Sequence, residues 1–273
     1  MSEKRLKDKN NNLCIVSAFL NIGRQDWSIF QRSLVQYFYN FLPYTKLNHE
    51  IIVFMDDRHI TQLKQICNNN KNITIFPINE SWMKENIYAY TQLNRETEIM
   101  DSEEFKKLVR HRLGHPECCK PLYNTMQHAK IDFISYVIRN KLSNSNYYAW
   151  SDFGYFQDPR KIPRGNLDIS KFDLEKVNFQ GMSELTIKDS DRMYTLTNAP
   201  ERIGGFFYLG NAEKLLEYQE LYHTICKEFH EMGIVDDDQH IMIQCYFRNP
   251  ELFKVWNLGG WHLTYLYFQE DEK

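Results

Sequence analysis

An aromatic run, Tyr147-Tyr148-Ala149-Trp150-Ser151, ends in a single carboxylate, Asp152, and is followed by Phe153-Gly154-Tyr155. Aromatic residues favour a pleated, half-buried strand, and Gly154 permits a sharp turn or a close ligand approach directly after the acid. The pattern reads as a buried strand delivering Asp152 to a cleft, because open α/β sheets place ligand chemistry at the carboxyl ends of their strands. The competing role for Asp152 is a structural hydrogen bond that caps the turn. A second acidic group, Asp236-Asp237-Asp238-Gln239, has the Asp-x-x-Gln spacing of a capping box, with further acids placed to favour a helix dipole. A third group, His111, His115, Cys118 and Cys119, contains the ligand types of a zinc site. Its spacing argues against one, since adjacent cysteines do not easily take two tetrahedral corners.

Several single residues complete the inventory. Arg24 follows an apolar run and could pair with phosphate through its fork of donors, or form a surface ion pair. Lys130 is one cation in an otherwise apolar helical stretch, where a lysine ordinarily snorkels to water. Gly204-Gly205 before Phe206-Phe207 would let backbone approach a ligand beside an aromatic wall, or would form a strand bulge. His262 lies between aromatics, where a histidine is more often a satisfied or surface side chain. Asp56 and Asp57 end an apolar run, where acids also start turns.

The elements that must hold these residues follow from periodicity. Leu13 to Phe19 reads as a strand, Trp27 to Leu42 as a helix, and Ile51 to Phe54 as a second strand. A short helix around Ile60 to Cys67 and a strand over Ile73 to Pro77 come next. Strands alternating with helices predict crossover connections and a mainly parallel sheet. Residues from about Glu80 to Cys119 interrupt that rhythm as an inserted helical or mobile segment. Leu122 to Leu142 carries Met126, Ala129, Phe133 and Val137 at helical spacing and feeds the strand that ends at Asp152. In the second half, Ile203 to Asn211 reads as strand and turn, Ala212 to Met232 as a helix, and Asp236 to Cys245 as another, within a smaller mixed sheet region. Residues 1–12 are expected to be a flexible terminus and 13–273 a single domain.

With 33 basic and 36 acidic residues among 273, the net charge of -3 offers no global basic field for nucleic acid. No apolar stretch approaches the roughly 18 residues needed to cross a bilayer, and the N-terminus lacks a secretory apolar region. Six cysteines without a CxxC pair fit a reducing compartment, so a soluble, cytoplasmic protein is expected.

Taken in order, Ile15 to Phe19 through Gly23-Arg24, His115-Pro116-Glu117 with Pro121 to Asn124, Lys130, Trp150 to Tyr155, Gly204 to Phe207, and Asp237-Asp238-Gln239 resemble the bacterial HtrL/YibB-like family. The resemblance runs from about Leu13 to Trp261. That family is similar to nucleotide-sugar glycosyltransferases of the GT-A type. The resemblance therefore implies a GT-A-like, Rossmann-like sheet, with residues 13–155 as the nucleotide-binding half and 156–273 as the acceptor and sugar half.

The implied activity is metal-assisted transfer of a hexose from a nucleoside diphosphate sugar, UDP-glucose being the first to try, to a saccharide or protein acceptor. Asp152 would hold Mn2+ or Mg2+, with His262 as a late further ligand, although Gly154 stands where a second acid is common. Ala18, Phe19, Arg24, Lys130, Trp150, Ser151, Gly204 and Gly205 would contact the donor. Asp237 or Asp238 would touch the sugar or acceptor, as base in an inverting enzyme or as electrostatic support in a retaining one. His115-Pro116-Glu117 would belong to a loop over the donor pocket that excludes water. Two other functions compete: a noncatalytic protein binding sugar nucleotide or saccharide on the same fold, suggested by Gly154, and a metal-dependent phosphodiesterase, suggested only by scattered Asp and His residues.

Overall fold

The computed structural model describes residues 12–271. Apart from Asn12, the expected flexible terminus lies outside them. Strands β1 (Leu13–Phe19), β2 (Glu50–Asp56), β3 (Ile73–Ile78), β4 (Tyr147–Ser151), β5 (Val177–Gly181), β6 (Ile203–Asn211) and β7 (Phe253–Asn257) form one seven-stranded sheet in the order β3-β2-β1-β4-β6-β5-β7. β1 pairs in parallel with β2 and β4, as do β2 with β3 and β5 with β7. β6 runs antiparallel to both β4 and β5. The mixed region expected in the second half is thus one flank of a continuous, mostly parallel sheet.

The near-continuous apolar strands are explained by burial on both faces. Along β1, Leu13 and Ile15 enter one core with Phe41, Tyr44 and Tyr265, while Cys14 and Val16 enter the other with Phe133, Trp150 and Tyr208. Helices α1 (Leu34–Phe41) and α2 (Ile60–Cys67) cover the first face. Helices α3 (Pro121–Arg139), α4 (Ala212–Glu231) and α5 (Asp238–Arg248) cover the second. Each fully buried side chain there, such as Phe133 or Val137, contributes about 1.5–3 kcal/mol of transfer free energy. Residues 80–119 form a run of short helices whose Met83, Ile99, Met100 and Phe105 are buried in the same core.

Two element boundaries differ from the sequence reading. The helix expected from Trp27 begins only at Leu34, where the Ser33 side chain accepts a hydrogen bond from the Gln36 amide. Residues 27–33 instead form a loop folded back on Arg24, whose carbonyl accepts from the Arg32 amide at 3.2 Å. The last helix starts at Asp238 with Asp237 as its N-cap, accepting from the Gln239 amide at 3.1 Å. The capping box read from Asp236 and Gln239 does not form, because Asp236 turns inward to Arg112 and His240.

Candidate functional site

The chain lays down β1, β2 and β3 toward one edge, then returns through α3 to place β4 on the other side of β1. Such a reversal of strand order leaves a crevice beyond the carboxyl ends of the two diverging strands, and open α/β sheets bind ligands there. A cavity of about 110 Å3 occupies this position, lined by Ala18, Phe19 and Asn21 after β1, and by Trp150, Asp152 and Gly154 around the end of β4. It shares Arg24, Arg32, Tyr123, Gln127, Lys130 and Asp152 with a larger cavity of about 520 Å3. The larger one is completed by Gly205 and Phe206 of β6, by Asp237 and Asp238 at the start of α5, and by Trp261 and His262.

Lys130 organises the junction. Its ammonium is buried and lies 2.7 Å from Asp238 Oδ2, 3.1 Å from Asp152 Oδ1 and 3.0 Å from the Gly205 carbonyl. Burial alone would lower its pKa, but Asp152 and Asp238 outweigh that and hold it above the usual lysine value. Asp152 Oδ1 also accepts from the Trp150 indole at 2.7 Å, which fixes the acid at the strand end. Gly205 is required by this packing, since a β-carbon there would run into the Asp238 carboxylate. A β-carbon on Gly204 would run into the Phe206 ring. That ring lies 4.4 Å from the imidazole of His262 and 5.6 Å from Trp261, forming an aromatic wall.

Beside this junction sits a buried acidic group with its own counter-charges. His240 Nδ1 stands 2.7 Å from Asp236 Oδ2, although the two are not aligned for a hydrogen bond. Burial disfavours the imidazolium, but Asp236 outweighs it and pushes the His240 pKa to about 9. Arg112 adds a second cation, 2.7 Å from Glu117 and 3.8 Å from Asp236. Burial raises Asp237 to about 7, with His240 pulling the other way and Asp236 and Asp238 pushing it up further. Among the described residues, Asp236, Asp237 and His240 are the one group whose three ligand atoms lie within 4.8 Å of one another. The His240 proton and Arg112 compete with any cation there.

The sequence model of a family described as bacterial proteins of unknown function, HtrL/YibB, matches residues 11–270. This chain belongs to that family. It is 29% identical over 257 residues to Protein HtrL of Escherichia coli (strain K12), covering 90% of this chain and 87% of the relative.

Of the residues expected to contact a ligand in this HtrL/YibB chain, the fold brings Ala18, Phe19, Arg24, Lys130, Trp150, Asp152, Gly205, Asp237, Asp238 and His262 to the two joined cavities. Ser151 and Gly204 line neither. The strand alternation that turns Trp150 toward the cleft sends Ser151 to the opposite core, where its hydroxyl meets Tyr44. Asp56 acts as a brace: it accepts from the Asn21 amide at 3.1 Å and from Arg58, holding the loop after β1. His111 is engaged by the Thr197 carbonyl at 2.6 Å, and Cys118 is buried, so neither is gathered with His115 and Cys119 into a ligand set.

The HtrL/YibB cleft also contains residues that the sequence does not single out as ligand contacts. Tyr123 and Gln127 precede Lys130 at helical spacing of seven and three residues, which places all three on one face of α3. That signal was present in the sequence. Arg32 carries no such signal, because the apolar spacing of its segment predicts a helix where the chain forms a loop. Phe30, Ala199 and His262, three of the six non-glycine residues with positive φ among the described residues, all line the larger cavity. Strained backbone of this kind gathers at functional sites.

Proposed function

We propose that this protein is a GT-A-like glycosyltransferase that moves a hexose from a nucleoside diphosphate sugar, with UDP-glucose as the first donor to test, to a saccharide or protein acceptor. The observation that carries the reading is the Asp152–Lys130–Asp238 bridge at the switch point of the sheet, where a fixed cation and two acids meet one continuous cleft. The larger cavity lies within the range of about 300–1,000 Å3 typical of ligand pockets.

The roles follow from charge. Arg24 and Arg32 supply positive charge for a diphosphate beside the smaller cavity, while Lys130 offsets the two acids that flank it. Arg24 is held for this task by the Phe30 carbonyl and the Tyr37 hydroxyl, each at 3.1 Å. The Phe206, Trp261 and His262 wall suits the apolar face of a sugar. Asp238 is committed to Lys130, whereas Asp237, poised near neutral pH, is the better general base. In an inverting transfer the acceptor oxygen bonds to the anomeric carbon, the bond to the diphosphate oxygen breaks with its electron pair, and the acceptor proton passes to Asp237. In a retaining transfer the same acids would instead steady positive charge on the sugar ring.

Asp152 and His262 are the side chains that would hold Mn2+ or Mg2+ in this reading. Asp152 Oδ2 has no hydrogen-bond partner among the described residues, and burial lowers His262 to about 4, leaving a neutral imidazole. These two side chains would hold the ion, with phosphate and water oxygens completing its shell. The ion would neutralise charge on the departing diphosphate.

Thermal shift with UDP and Mn2+, followed by release of UDP from UDP-glucose, tests the reading. Stabilisation and turnover that both disappear in Asp152→Asn support it. Absence of any response to nucleoside diphosphates refutes it, and tight binding without turnover in the presence of acceptors assigns the protein to noncatalytic sugar-nucleotide binding.

A further inference from the structure

A separate pocket of about 330 Å3 opens between the second half of α3, helix α4 and the short helix Tyr88–Thr91, and it shares no lining residue with the cleft. At its base Asp132 is fully engaged: Oδ2 accepts from the Ala89 amide at 2.8 Å, and Oδ1 accepts from Gln219 and His223, both at 2.7 Å. This holds Gln219 and His223 in fixed orientations. Two polar atoms of residues in this lining, Ser135 Oγ and Gln219 Oε1, are buried with almost no accessible surface and have no hydrogen-bond partner. Buried polar groups are nearly always satisfied, so this orphaned pair just behind the pocket wall gains partners only when a side-chain shift opens it to a ligand.

We propose that this pocket is a second, noncatalytic saccharide-binding site, taking a single pyranose ring. The chemistry selects that class. Gln219 Oε1 needs a donor, and the Ser135 hydroxyl can both give and accept, which is the demand that vicinal sugar hydroxyls meet. The Arg139 guanidinium adds planar donors at the same wall. Tyr88, 41% exposed, lies at 4.2 Å ring-centroid distance and 34° to His223, and so presents a braced aromatic platform for the C–H face of the ring. The Asp132 carboxylate disfavours a phosphate or carboxylate ligand in the same space.

Saturation-transfer NMR on the full chain with methyl β-glucopyranoside, methyl β-galactopyranoside and N-acetylglucosamine reports saccharide binding to the chain, and Tyr88→Ala assigns it to this site. Saturation transfer is expected in the presence of excess UDP and in Asp152→Asn, with at least a tenfold loss of affinity in Tyr88→Ala and a smaller loss in Ser135→Ala. Tighter binding of lactose or cellobiose than of the monosaccharides would identify the natural occupant as the end of a glycan; equal binding would identify a free sugar. Saturation transfer from none of these sugars overturns the proposal, as does transfer that UDP abolishes or that survives both substitutions unchanged. Tyr88 is an exposed side chain, so its replacement leaves the core intact even if Ser135→Ala does not fold.

Discussion

The Asp238 carboxylate lies directly against the α-carbon of Gly205, in space that a β-carbon would occupy. The ion pair with Lys130 is possible only because residue 205 has no side chain. Gly205→Ala therefore forces Asp238 away from Lys130. The expected result is a loss of about 1–3 kcal/mol in stability by overpacking, together with at least a tenfold loss of UDP-glucose turnover. Urea unfolding and UDP release measure the two. Full activity in this variant would show that the bridge does not serve the reaction.

Lys130→Met leaves Asp152 and Asp238 without their shared cation. Removing one partner from a buried ionic group costs about 3–5 kcal/mol. The double variant Lys130→Met, Asp238→Asn should recover part of that loss, since one uncompensated charge disappears with its partner. Chemical denaturation of the two single variants and the double variant closes the cycle, and strict additivity would contradict the coupling.

Proton linkage gives a stability profile with a definite sign. Asp236 holds His240 protonated up to about 9, above its ordinary value of 6.5. A group whose folded pKa is raised stabilises fully below its unfolded pKa and loses that stabilisation as pH rises through the folded one. The melting temperature should therefore fall between about pH 6.5 and 9, and His240→Gln should flatten that decline. A profile identical to that of the unsubstituted protein would contradict the ion pair with Asp236.

The same reasoning sets an activity limb. Asp237, raised by burial to about 7, accepts a proton only when ionised, so turnover should increase with pH through neutrality. In Asp237→Asn that limb should be absent, with kcat reduced by about 10²–10⁴. Persistence of the limb would move the base elsewhere.

Arg32 and Arg24 both line the smaller cavity. Arg32→Ala should weaken UDP binding roughly tenfold, equivalent to about 1.4 kcal/mol, and should reduce its salt dependence. Isothermal titration at two ionic strengths checks both; unchanged affinity would place the phosphates away from this residue.

Much of this architecture was legible because strands buried on both faces have an unmistakable apolar signature, as β1 and β2 do. The acid at the end of β4 is legible for the same reason, as a single carboxylate closing an aromatic run. What the sequence could not convey was partnership across the fold. Nothing local says that Asp238 meets Lys130, 108 residues away, or that Asp236 turns inward to His240 while Asp237 caps the helix. The Trp27 to Ser33 loop has apolar residues that imitate helical spacing, whereas the Ser33 cap that starts the true helix carries only one weak signal.

Helix α3 meets the cleft through Tyr123, Gln127 and Lys130 and the second pocket through Asp132, Ser135 and Arg139. Each added or deleted helical residue rotates everything beyond it by about 100°. A single-residue insertion near residue 131 would therefore keep the cleft face in place while swinging the later three side chains out of their pocket. The length of this helix is consequently as constrained as its composition, and tolerance to insertion should differ sharply between α3 and the exposed loops around it.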